Sequence, residues 1–265
     1  MYFVHYFRGT CGNFITRNIN NVLDLDCFKV SPLGNCHFSA LANKYKHNFL
    51  LKGNNYLNDF FKNNVIDKQF AINVENDLDY NFLLNHSKEN KIINITYCNE
   101  DILQLNYNFF VKYYLDITHD NTDEFKTIHK INNSANNLTK EEYVILMLSL
   151  IRNSLNNLSK KNKIDQLEYT APSRVFNLKF KDIMYFSESA IDSLYNFIDN
   201  GNCNKVKFKE NFLSYQKKQT YISTKPITFL DLEKENLDSL TDLIKSNYET
   251  YLKTVKFKNE IIDNR

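Results

Sequence analysis

Residues 6–15, YFRGTCGNFI, hold two of the chain's five glycines, Gly9 and Gly12, within four positions. Small residues at that spacing let neighbouring backbone N–H groups converge, and a helix start directly after them adds its dipole. The result is a seat for a phosphate-like or sulfate-like anion. Arg8 would supply charge, Gly9 and Gly12 the tight curl, and Thr10 a hydroxyl. Cys11, Asn13 and Phe14 would complete the turn into the helix. The pattern is not a Walker A loop, because G-x-x-x-x-G-K-[ST] is absent. A strand-to-helix turn whose glycines serve packing has the same signature, and spacing alone leaves both readings open.

Six histidines are the next chemical resource. His86, in FLLNHSKENKI, ends one predicted strand just before the next begins. Ligands of open parallel sheets gather at strand carboxyl ends, so His86 is the candidate general base and Arg8 shares the same kind of position. His37, in PLGNCHF, is the reserve base. His5 lies within the first predicted strand, and His47, His119 and His129 fall in polar surroundings; packing or surface roles suit these four. No G-x-S-x-G elbow is present. DNTDE (120–124) lacks the spacing of a calcium loop, and NKVKFKENF (204–212) reads as a solvated face in a chain with 28 Lys against 5 Arg. Five scattered cysteines, Cys11, Cys27, Cys36, Cys98 and Cys203, form no CxxC pair. The expectation is therefore no metal, no disulfide framework, and reduced thiols in a cytoplasmic protein.

These residues need a scaffold. The chain has 265 residues, of which 43% are hydrophobic and 14% aromatic. A chain of that length buries roughly three quarters of its unfolded surface. Abundant Asn, Lys, Ile and Tyr, with no Trp, match an AT-rich genome. A net charge of +2 argues against a general nucleic-acid binder. The longest apolar run, YVILMLSLI (143–151), is about half a membrane span and reads as a core helix. Residues 2–6 read as a strand and 13–24 as a helix. YNFLLNHS (80–87), KIINITY (91–97) and RVFNLKF (174–180) read as further strands. Residues 100–115, 189–198 and 232–255 read as helices. Thr139 and Glu142 fit a capping box at the start of the 143–151 helix. Strands interspersed with helices predict an α/β domain with a mainly parallel sheet. One domain over 1–265 is expected, with a helical C-terminal extension from about residue 201.

In this order the pieces resemble the sulfotransferase family. Its opening loop, P-[KR]-S-G-T-T-[WF]-L, resembles residues 9–15, most nearly in the bacterial and phage form G-S-G-G-N-F-L. The family's strand end T-H-[LF]-P resembles Asn85-His86-Ser87. KIINITYCNEDILQLNYNF resembles the segment of the family that carries its 3'-phosphate Arg and Ser. FNLKFKDIMYFSESAIDSLYNFI resembles the strand, Y-E-D-L and helix that follow. The resemblance spans about residues 2–200. It implies a three-layer P-loop-like domain with a mainly parallel central sheet flanked by helices. It also implies that residues 8–14 bind 3'-phosphoadenosine 5'-phosphosulfate (PAPS) as co-substrate. His86 would deprotonate an acceptor hydroxyl on a sugar, lipid or small alcohol. The family's loop cation falls on Gly9, leaving Arg8 nearest. The 3'-phosphate Arg and Ser fall near Tyr97–Cys98 and Leu105–Asn106. Asn99, Asn106 and Asn108 amides, with Lys205 or Lys207, would have to replace them. The alternative is a P-loop-like nucleotide- or anion-binding protein without transfer chemistry.

Overall fold

In the computed structural model, residues 1–7, 9–23, 71–74, 84–85, 87–115, 138–159, 172–198, 201, 203–217 and 225–253 are described. The chain forms two compact units. One combines Met1–Tyr97 with Lys161–Gln219, the other Cys98–Lys160 with Thr220–Arg265.

The first unit carries a sheet of four parallel strands: β1 (Tyr2–His5), β2 (Ala71–Val74), β3 (Lys91–Thr96) and β4 (Val175–Lys179). Their spatial order is β2-β1-β3-β4. β1 pairs Phe3 with Ile72 on one side and with Ile92 on the other, and β3 pairs Ile92 with Val175. The register puts Phe3, His5, Ile92, Asn94, Val175 and Asn177 on one sheet face, because strand side chains alternate. The fold is thus a mixed α/β arrangement with a small parallel sheet.

The helices of this unit among the described residues include α1 (Gly12–Val22), α4 (Phe180–Met184), α5 (Glu188–Ile198) and α6 (Lys205–Gln216). α1 packs on β1 and β2, α5 on β4, and α6 against both helices. Ile191, Leu194, Tyr195 and Ile198 are all buried, so the apolar stripe of α5 is its inward face. The carboxyl end of α5 is closed from the sheet. Tyr2 donates its hydroxyl to Ile198 O at 3.0 Å, and Lys91 Nζ donates to Phe197 O at 2.6 Å. A cation and a donor there complement the negative end of the helix dipole. α6 is no solvated run. Asn204 caps it by accepting from Lys207 N, and Phe208 and Phe212 are fully buried.

The second unit holds α2 (Ile102–Leu115), α3 (Lys140–Ser159) and α7 (Lys234–Ser246), the last followed by helical residues 248–253. α3 packs against α2 and α7. Its buried residues include Tyr143, Met147 and Ile151, while Ile145 on the same run is exposed. Tyr143 stacks on Tyr251 at 5.2 Å between centroids. Tyr248 donates to Leu138 O at 2.6 Å, and Leu138 N donates to Tyr251 Oη at 3.4 Å.

Two sequence expectations change. Leu84 and Asn85 are helical, so the strand read over 80–87 does not hold there, and the second strand of the sheet is Ala71–Val74. Leu84 is buried, and Leu84 O and Ser87 O both accept from Arg174 Nη1, at 2.6 and 3.4 Å. An apolar run too short to show a period fits a buried helical turn as well as a strand.

Candidate functional site

The strand order places a reversal between β1 and β3, since the chain runs from β1 outward to β2 and returns on the other side as β3. Ligands of open parallel sheets bind in the crevice outside the strand carboxyl ends at such a reversal. The turn after β1 leads into it. Gly9 has φ 90° and Cys11 φ 68°, so the chain bends twice through the left-handed region before α1 begins. Cys11 is the N-cap of α1 and gives it no side-chain cap. Strand, left-handed turn and helix thus stand where the sequence placed them.

Inside the turn, several groups already have partners. Thr10 is fully buried; its hydroxyl donates to Phe7 O at 2.6 Å and its N–H to the same oxygen at 3.0 Å. A hydroxyl has one proton to donate, so this one serves the turn. A Cβ built on Gly12 would lie 2.2 Å from Tyr6 Cγ. A Cβ at Gly12 would thus collide with the Tyr6 ring, which by itself requires glycine there. Tyr215 stacks on Phe14 at 4.0 Å and donates its hydroxyl to Cys11 Sγ at 3.1 Å. Burial pushes the Tyr215 phenol well above its ordinary range. Phe7 and Tyr97 extend from β1 and β3 with ring centroids 5.4 Å apart. Burial likewise raises the Tyr97 phenol.

Beside the turn lies a polar row of which the sequence reading named only His5, as a packing or surface residue. His5, Asn94 and Asn177 are register partners on β1, β3 and β4. His5 Nδ1 lies 2.9 Å from Asn94 Oδ1, and Asn94 Nδ2 donates to Asn177 Oδ1 at 2.9 Å. Asn94 is only 4% exposed. A signal was present: in each of MYFVHYF, KIINITY and RVFNLKF one of these polar residues stands between two apolar neighbours.

Arg8, His37 and His86 lie outside the described residues, with Cys27 and Cys36. The neighbours of His86 are informative. Ser87 precedes β3, and Leu84 and Ser87 are held by Arg174, the residue before β4. These flanks stand at the amino edge of the sheet, whereas Gly9–Cys11 follow the carboxyl end of β1. Leu84 and Asn85 are helical, and His86 itself lies outside the described residues. Of the substitutes for a 3'-phosphate site, Asn106, Asn108 and Lys205 have side-chain partners. Asn106 Nδ2 donates to Ile102 O and Asn106 Oδ1 accepts from Ser154, while Asn108 Oδ1 accepts from Gln104. Asn99 O accepts from Ile227 N. Lys205 pairs with Asp192 at 2.9 Å. Cys98 donates its thiol to Asp101, and burial with that bond raises its pKa.

No family model, curated protein or solved structure matches the chain. Among the described residues no group of three or more His, Cys, Asp and Glu could hold a metal, and no helix is long and apolar enough to cross a membrane.

Proposed function

We propose that the chain is a sulfotransferase-like enzyme on a three-layer P-loop-like domain. In this reading the turn after β1 seats the anionic end of PAPS, and a hydroxyl compound accepts the sulfuryl group. The supporting observation is the left-handed turn at Gly9 and Cys11, leading from β1 into α1 where the strand order reverses. Sulfuryl transfer spreads negative charge over the sulfate oxygens. N–H groups at a helix start, with Arg8 from the sequence, would stabilise that charge more in the transition state than in the ground state.

A second reading, anion or nucleotide binding without transfer, is favoured by the Thr10 hydroxyl. It is turned into the turn and bonded to Phe7 O.

Calorimetry at one fixed ionic strength separates the readings, with 3'-phosphoadenosine 5'-phosphate and adenosine 5'-phosphate as titrants. Both nucleotides should bind, and Arg8→Ala should weaken them by roughly 10–100-fold, the loss of one charged hydrogen bond. With neutral amides in place of an Arg, the preference for the 3'-phosphate should be about tenfold or less, near 1.4 kcal/mol. Binding without turnover of PAPS on any alcohol would select the second reading. Absence of binding at millimolar nucleotide would end the PAPS reading and leave anion binding in its place.

A further inference from the structure

In the second unit, two adjacent large apolar side chains face solvent from a turn that cannot fold them away. The 3-10 turn Phe229–Leu232 opens on a capping box, in which Thr228 gives both its N–H and its hydroxyl to the Asp231 carboxylate. Leu230 O accepts from Asn236 Nδ2 at 2.8 Å and from Glu233 N at 3.2 Å. Just ahead of the turn, Ile227 is buried and its N–H donates to Asn99 O at 3.2 Å. A turn fixed at both ends holds its side chains where they are, yet Phe229 is 49% and Leu230 61% exposed. Single exposed apolar residues are ordinary; two neighbours on a rigid turn mark an interaction surface.

The rim selects the partner. Glu233 and Glu235 are exposed beside the turn, and Asp238 and Asp242 continue from Glu235 along one face of α7. Such a rim repels an anionic bilayer and suits a basic surface with apolar residues of its own. The first unit carries one. On α6, Val206 is 67% and Leu213 37% exposed, seven residues apart and therefore on one face. Lys205 and Lys209 of this helix pair with Asp192 and Glu188 of α5. Lys207 and Lys217, both exposed, set a positive balance against Glu210 around the apolar pair.

We propose that Phe229 and Leu230 dock on the Val206–Leu213 face of α6 in a second copy of this chain, with the acidic rim meeting Lys207 and Lys217. The two patches differ, so the contact is heterologous, and copies join head to tail unless the rotation closes the set. The association is independent of sulfuryl transfer.

Sedimentation velocity of the full chain tests this over about 1–200 µM, the range of a small, transient interface. The parent should assemble. Phe229→Glu and Leu213→Glu should each weaken assembly by about tenfold or more, since each puts a charge into the apolar contact. Leu230→Glu and Val206→Glu replace either variant should circular dichroism show that it does not fold. The deciding sample mixes Phe229→Glu with Leu213→Glu. The first keeps its α6 face and the second its turn, so the mixture should form one-to-one pairs and nothing larger, while neither variant pairs alone. A parent that stays monomeric throughout would overturn the proposal. Variants that assemble like the parent, or a mixture that does not pair, would overturn it equally. So would flotation of the parent with phosphatidylcholine vesicles that Phe229→Glu abolishes, because the turn would then belong to a bilayer.

Discussion

α3 begins with Thr139 and Glu142 satisfying each other's backbone, Thr139 N donating to Glu142 Oε2 at 2.8 Å and Glu142 N to Thr139 Oγ1 at 3.3 Å. α1 begins at a left-handed cysteine with no side-chain cap. The first start is complete within four residues and needs nothing from the rest of the chain. The second is completed by distant partners: the Tyr6 ring over Gly12, and Tyr215 against Phe14 and Cys11. A helix start closed by its own side chains has its function in stability. One built from small residues and distant partners is shaped by its surroundings, and a ligand at the reversal would join those surroundings.

The largest effect should come from Gly12→Val. Tyr6 is buried and its ring root stands where the new Cβ must go, so overpacking should cost about 3 kcal/mol, read by urea unfolding. Adding Tyr6→Ala should recover part of that loss, because the two residues are in contact. A Gly12→Val protein as stable as its parent would erase the contrast between the two helix starts.

Thr139→Ala should cost about 1 kcal/mol, the usual scale for a lost N-cap, and Thr139→Asp should cost little. Equal losses from both would show that the box is not what fixes the start of α3.

The smallest effect belongs to the surface, where Asp192 joins α5 to α6. Hydrogen bonding to Lys205, then to Lys209, holds its carboxyl below the usual range. A lowered carboxyl adds stability above the ordinary carboxylate pKa and loses it as pH falls through the lowered one. Asp192→Asn should therefore flatten the acid limb of the stability profile below about pH 4 and change little at neutrality. An unchanged acid limb would assign that limb to other carboxylates.

What the sequence disclosed follows the same division. The capping box, the stripe of α5, and the strands at β1, β3 and β4 were legible because local spacing determines them. β2 was not, since AINV is four residues with no room for a period. Residues 84–85 were misread because a short apolar run does not tell strand from helical turn. In the turn after β1 the glycines were visible, but the reason for Gly12 was not: it depends on where the Tyr6 ring lies. The row of His5, Asn94 and Asn177 exists only through register, and no single segment announces a residue's partner on another strand.

The pairing of β3 with β4 has a consequence for synthesis. Asn94 meets Asn177, 83 positions later, and all of Cys98–Lys160 is translated in between. At about 5–20 residues per second, a ribosome leaves that edge of β3 without its neighbour for roughly 4–17 s. The waiting strand, KIINIT, is β-branched, nearly uncharged and free of proline, the composition that invites pairing with a foreign strand. Nascent chains should thus be most vulnerable to aggregation, and most dependent on chaperones, between the emergence of residue 96 and that of residue 179.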